Sequence, residues 1–271
     1  MAALARFGLA TLVAAAAAGC SLLIDVDGLS GGPAGPGAEA GADVAVASVD
    51  AGADAADAAD AADGSMPPCA PPAFCDDFER GDPIGAWDGL QTTGGTLAID
   101  ATMSRSGTRS LRAALVASAT TRSVYLERLV PAGTLGVKVS FSFRIESSPA
   151  TTNVLAGLQL GTPLSTVFVS VNGSSLGLLA QNYVTAEAHG YPVGATKLGE
   201  WDRITMDLRR TTPSGTPRLR VTRGTSATLV VDEAVTVPLG ALGAYRIGII
   251  YAAADPASAQ AWFDDVRVDL D

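Results

Sequence analysis

The chain has 271 residues, enough for one domain of about 200 residues plus extensions. Aromatics make up 6 % while glycine and proline are plentiful, with 30 and 15 copies, a composition that suits short strands joined by many turns. The net charge of −10 sits unevenly: residues 20–68 hold nine acids and no base, and residues 69–271 hold 19 acids and 17 bases. The acidity therefore belongs to a tail, no basic stripe is visible, and nucleic-acid binding is disfavoured.

The first residues supply one positive charge at Arg6, followed by an uninterrupted apolar run over 7–18. That run is too short to cross a bilayer core of about 30 Å as a helix and matches a secretory apolar region. Ala17-Ala18-Gly19-Cys20 follows at once. The stretch resembles the lipobox of bacterial lipoproteins, though leucine is commoner at the position of Ala17. The resemblance implies cleavage after residue 19, acylation of Cys20 and attachment to a membrane. Two or more acyl chains give lasting attachment where one does not. An ordinary cleaved signal with an incidental Cys20 is the alternative. In the Gram-negative sorting pattern an aspartate after the cysteine favours the inner membrane, so Ser21 implies the outer one.

Residues 20–68 read as a spacer. Residues 28–41 are rich in Gly, Pro and Ala, and 50–63 repeat Ala-Ala-Asp. A three-residue period drifts around a helix and builds no apolar face, so disorder is expected. A flexible coil of this length has an r.m.s. reach of roughly 35–42 Å. Pro67-Pro68 and Pro71-Pro72 mark the start of a domain over 69–271. Cys69 and Cys75 flank the second proline pair. In an exported chain two cysteines this close read as a disulfide, with two free buried thiols as the alternative.

Strands follow in order over 96–100, 110–115, 123–129 and 135–145. In the last of these Leu135, Val137, Val139, Phe141, Phe143 and Ile145 alternate with Gly136, Lys138, Ser140, Ser142 and Arg144. A period of two over eleven residues predicts a long strand, central in an antiparallel sheet, with one buried and one wet face. Further strands are expected over 154–160, 166–171, 176–179, 201–208, 218–222, 229–232, 245–251 and 262–270. Asn172-Gly173 signals a hairpin. About a dozen strands and no long helix predict an antiparallel β-sandwich or barrel.

Four motifs stand in order: Asp77-Phe78-Glu79 with Trp87 after it, Ser106-Gly107 with Ser110-Leu111, Gly199-Glu200-Trp201, and Phe263-Asp264-Asp265-Val266. Together they resemble the concanavalin A-like, laminin G-like jelly rolls over residues 73–271; galactose-binding-like jelly rolls are the competing fold. Many members of both groups bind carbohydrate, and many carry a structural calcium ion. Fold alone does not fix function. Asp76, Asp77, Asp264 and Asp265, with Glu79 nearby, are the candidate calcium ligands, through hard oxygens at 2.3–2.6 Å. Pairing of these acids with Arg80 or Arg267 is the alternative.

Catalytic signatures are sparse. Laminarinase-like retaining glycosidases carry Glu-x-Asp-x-x-Glu, which sets two carboxyl groups about 5–5.5 Å apart. Glu200 and Asp202 match the first two positions, but Thr205 stands at the third. The single histidine, His189, lies in a stretch that Gly190 and Pro192 mark as loop, with no lyase motif around it, and neither a nucleophile elbow nor a phosphate loop occurs. A carbohydrate platform needs exposed aromatics on one sheet. Tyr183 and Tyr191 are the preferred candidates, ahead of Trp87 and Tyr251, while Trp201 and Trp262 read as core. The sequence thus favours an envelope lipoprotein presenting a recognition domain, with a polysaccharide-active enzyme and a purely structural surface protein as alternatives.

Overall fold

The computed structural model describes residues 73–148, 153–161, 164–255 and 257–271. The signal region, Cys20, the spacer and Cys69 lie outside the described residues. Fifteen strands follow one another: β1 (Phe74–Asp76), β2 (Gly89–Thr93), β3 (Gly95–Asp100), β4 (Ser110–Leu115), β5 (Arg122–Leu129), β6 (Gly136–Ser147), β7 (Asn153–Leu160), β8 (Ser165–Asn172), β9 (Ser175–Asn182), β10 (Ala188–Ala195), β11 (Trp201–Arg209), β12 (Arg218–Arg223), β13 (Thr228–Ala234), β14 (Leu242–Ala252) and β15 (Ala259–Leu270). No helix occurs among the described residues.

The strands form two antiparallel sheets. Sheet A runs β13-β12-β11-β6-β15-β4-β3, with β1 also paired to β15; sheet B runs β10-β9-β8-β7-β14-β5-β2. The chain is a two-sheet jelly-roll sandwich, in line with its alternating sequence pattern. β6 is central, between β11 and β15. Its side chains Val137, Val139, Phe141, Phe143 and Ile145 are buried and meet Val167, Val169 and Val171 of β8 in one core. Burying each such side chain stabilises by about 1.5–3 kcal/mol, which is why the period of two fixes which face turns inward.

The other face of β6 is drier than expected. Lys138 is exposed, but Ser140 and Ser142 are buried. The cause lies in β15, whose pairing with β6 shifts register between Asp264 and Arg267. The extra residues turn Asp265 over β6, and its carboxylate accepts a 3.4 Å bond from the Ser142 hydroxyl.

Three strands lie outside the sequence expectation: β1, β2 and β10. β10 contains Gly190, Pro192 and Gly194, which read as loop residues. It is the edge strand of sheet B, with a register shift between Pro192 and Gly194, and edges and bulges are where strands tolerate such residues. His189 is accordingly on a strand, exposed, with its ring 4.6 Å from that of Tyr191.

Candidate functional site

Three of the four motifs converge beside β15, while Gly199-Glu200-Trp201 lies at the start of β11, paired with β6. β4 pairs with residues 259–263 of β15 and β1 with residues 266–268, so the Asp264–Asp265 bulge falls between the two partners. The segment 104–109 enters at this gap. Asp264 Oδ2 accepts the backbone N–H groups of Arg105 at 2.8 Å and Ser106 at 3.1 Å, and Oδ1 accepts that of Asp265 at 2.8 Å. The Ser106 hydroxyl donates to Asp265 Oδ1 at 2.5 Å. From the other side Glu79 accepts the backbone N–H groups of Thr108 at 2.7 Å and Arg109 at 2.9 Å, with the Thr108 hydroxyl at 2.7 Å. Three carboxylates thus pin one short loop.

Asp76, 2 % exposed, ties down the segment that follows β1. Its Oδ1 accepts the Phe78 N–H at 2.9 Å, and its Oδ2 accepts the Trp87 indole N–H at 2.5 Å and pairs with Arg80. Phe78 and Asp265 both hold positive φ, 59° and 51°. That left-handed conformation costs a residue with a Cβ roughly 1–2 kcal/mol. Phe78 offsets it by full burial and by stacking on Trp87, with planes 7° apart.

Burial sets the electrostatics of this clamp. Loss of solvent raises Asp264 to about 7 despite its three N–H donors, and the neighbouring Asp265 charge adds to the effect. Asp76 is raised by burial as well, against the Trp87, Phe78 and Arg80 interactions. For Glu79 burial is outweighed by the Thr108 and Arg109 donors, and the carboxyl is lowered.

The candidate calcium ligands are engaged within the protein. Among the described residues no three acidic, histidine or cysteine side chains gather around one point. Asp76 already holds a cation in Arg80, Asp77 accepts the Glu79 N–H, and Asp264 has both oxygens on N–H donors. The motifs act here as internal ties for loops. The two hydrolase-like acids are each engaged by a separate base. Asp202 is bound to Arg223 at 2.6 Å, and Glu200 to Lys197 at 3.3 Å.

The aromatic candidates divide. Tyr191 is 3 % exposed and packs in the core, so its ring offers no platform. Trp87 is buried in the clamp. Trp262, expected in the core, is buried at 5 % exposure, while Trp201, expected there too, is half-buried on the outer face of sheet A. They form a cross-strand row Arg112–Trp262–Arg144–Trp201, with Arg112 5.8 Å from the centre of the Trp262 ring. Tyr183 and Tyr251 are exposed, at 51 % and 46 %.

Tyr183 leads to the outer face of sheet B. Its hydroxyl lies 3.4 Å from Thr166 Oγ1 on β8. One cross-strand row on this face reads Glu127–Arg246–Gly157–Phe168–Leu179–Gly190, across β5, β14, β7, β8, β9 and β10. A second reads Ala244–Gln159–Thr166–Gln181–Ala188. Beyond the first, on the side away from the second, lie Tyr125 opposite Gly248 and then the row Tyr251–Val154–Ser170–Gly177–Pro192. Arg246 packs 4.7 Å over the Tyr125 ring and bonds Glu127 at 2.6 Å. Glycine lowers the floor. At Gly248, φ is +127° and a Cβ would meet Val124 O at 2.3 Å, so no larger residue fits. Phe168 is only 8 % exposed although it alternates with core Val167 and Val169, so it is sunk between its neighbours. Tyrosines at the margins, amides and hydroxyls between them and a low floor make a surface suited to flat, hydroxyl-rich ligands. Sequence reasoning found Tyr183 and named Tyr251, but missed Tyr125, Arg246 and Glu127, because only the strand order brings them together.

No known family matches the sequence, and no curated protein is similar to it. Among solved structures the chain is similar to a protein described as cellulose-induced protein Cip1, with TM-score 0.54 and 15 % identity over 72 % of this chain and 96 % of that one. It is also similar to a carbohydrate esterase from Shiga toxin-encoding bacteriophage phi24B, at TM-score 0.49 and 11 % identity over 73 % of this chain and 100 % of that one. A third is the receptor-binding domain of botulinum neurotoxin type G, at TM-score 0.46 and 10 % identity over 66 % of this chain and 42 % of that one. At 15 % identity the likeness to the first of these concerns the fold alone.

Proposed function

We propose that the domain is a non-catalytic glycan-binding module that acts through the outer face of sheet B. The observation that carries this reading is the joint placement of Tyr125, Tyr183 and Tyr251 around a low floor lined with Gln159, Thr166, Ser170 and Gln181. Tyrosine rings stack on the apolar faces of sugars, and amides and hydroxyls serve both as donors and as acceptors to their hydroxyls. The ion pairing of Glu200 and Asp202 to separate bases supports binding without hydrolysis.

The protein is placed by this proposal in the cell envelope, at the outer membrane, held by acyl chains on Cys20 and lifted on the 20–68 spacer. A disulfide from Cys69 to Cys75 would tie the end of that spacer to β1; the disulfide-bonded state of Cys75 supports it. Palmitate labelling of the full chain, abolished in Cys20→Ala, tests the anchor. A glycan array probed with the wild-type chain and with the Tyr125→Ala/Tyr251→Ala double variant tests the module. Binding that the double variant loses supports the reading; no binding to any glycan by the wild type rejects it.

A further inference from the structure

The two outer faces of the sandwich differ sharply in charge. On sheet A one cross-strand row reads Asp269–Lys138–Asp207–Arg220–Asp232, a formal charge on every strand. Arg209 beside it pairs with Asp207 at 2.7 Å and with Asp271 at 2.6 Å, and Arg218 pairs with Asp232 at 2.6 Å. On sheet B the rows described above hold two formal charges in all, Glu127 and Arg246. These neutralise each other, since both Arg246 Nε and Nη2 lie 2.6 Å from Glu127 Oε2. Stacking on Tyr125 fixes the guanidinium further.

We infer that the sheet B face takes an uncharged, extended polysaccharide lying across the strands from β5 toward β10, and that it rejects acidic glycans. This rests on the glycan-binding reading and gives it a ligand class. An acidic sugar would need a free cation, and the one cation in these rows is already engaged by Glu127. Releasing it would leave a half-buried carboxylate beside the incoming anion, and like charges brought together in a partly desolvated site are penalised. A neutral chain meets the pair intact: the Glu127 carboxylate keeps lone pairs for sugar hydroxyls, and the guanidinium N–H groups not engaged by Glu127 remain as donors to sugar oxygens. The face is also long. From β5 to β10 there are five strand spacings, roughly 24 Å, so a short oligosaccharide covers only part of it.

Gly190 gives the test its handle. It is exposed, lies at the β10 end of the Glu127–Arg246–Gly157–Phe168–Leu179 row, and a Cβ built there meets nothing within 4 Å. Gly190→Phe therefore raises the floor without a clash inside the protein. Titration calorimetry of the full chain would use trimers and hexamers of neutral gluco-, manno- and xylo-oligosaccharides, and uronate oligomers of equal length. The expected result is binding of at least one neutral hexamer, with the matching trimer and all uronates weaker by about tenfold or more. Gly190→Phe should weaken that hexamer about tenfold at an unchanged melting temperature. Uronates binding as well as or better than neutral chains, with loss in Gly190→Phe, would overturn the neutral class while leaving glycan binding standing. A neutral hexamer whose affinity Gly190→Phe leaves untouched would overturn the location. Failure of every oligosaccharide to bind would reject the glycan-binding reading itself.

Discussion

Asp264 makes the stability of the domain fall as pH rises through neutrality. Its carboxyl is fully buried and raised to about 7, against about 3.9 in an unfolded chain. A raised acid favours the folded state while it is protonated. Its contribution is fully present below the unfolded value and is lost as pH climbs through the folded one. Between pH 5 and pH 8 the unfolded carboxyl stays ionised throughout, while the folded one gives up its proton. The difference is about 3 kcal/mol from this one group, or a fall of roughly 6–12 °C in melting temperature for a domain of this size. Asp76, raised by burial, acts in the same sense. Glu79 and Asp100 are lowered, so their contributions are lost only in acid, as pH falls below their ordinary range. Thermal unfolding followed by circular dichroism at pH 5 and pH 8 reads the effect in the wild type and in Asp264→Asn. The amide places an N–H₂ group against backbone N–H donors, so the variant melts lower at pH 5, but its melting temperature changes far less with pH. A wild-type melting temperature that is flat or rises from pH 5 to pH 8 would refute the reasoning, and so would an equal slope in the variant.

Arg122, with no exposed surface, donates to the carbonyls of Val116 at 2.6 Å, Ala257 at 2.9 Å and Ala253 at 3.1 Å. Arg122→Met leaves those carbonyls without their donor and should cost about 3–5 kcal/mol in urea unfolding; a loss under about 1 kcal/mol would remove its role as a staple. Glu79→Ala should speed hydrogen exchange at the amides of Thr108 and Arg109 and leave those of β8 unchanged, since only the first pair loses its acceptor. Millimolar calcium, followed by chelator, should leave the melting temperature of the domain where it was. A rise that the chelator reverses would place a cation among the clamp carboxylates after all.

Much of the scaffold is readable from local pattern, because a period of two leaves little choice about which side chains turn inward. Val137 through Ile145 do so as expected, and Asn172-Gly173 sits at the β8–β9 turn. Parity also places Trp201: Ile204, Met206 and Leu208 are core, so Trp201 faces out. The expectation that Trp201 belongs to the core fails against that parity, whereas Trp262 is buried. Ser140 and Ser142 depart from the expected wet face because a bulge in a strand more than a hundred residues away covers them. β10 is hidden by Gly190, Pro192 and Gly194, whose local preference for turns gives way at a sheet edge. The aspartate motifs are visible, but their partners are not. Backbone N–H groups of a loop leave no trace in residue identity, so acids that tie down a loop read the same as acids that bind a metal. The sheet B face is the least legible, because it depends on β5, β14, β7 and β8 lying side by side in an order unlike that of the chain.

The sharpest test of the account is to map amide chemical-shift changes in the isotope-labelled protein as a neutral hexasaccharide from the calorimetric series is added. The account predicts that the changes cluster at Tyr125, Arg246, Gly157, Thr166, Gln181 and Gly190, with sheet A silent. Changes centred on the Lys138, Asp207 and Arg220 row, or on the loop at residues 104–109, would contradict it.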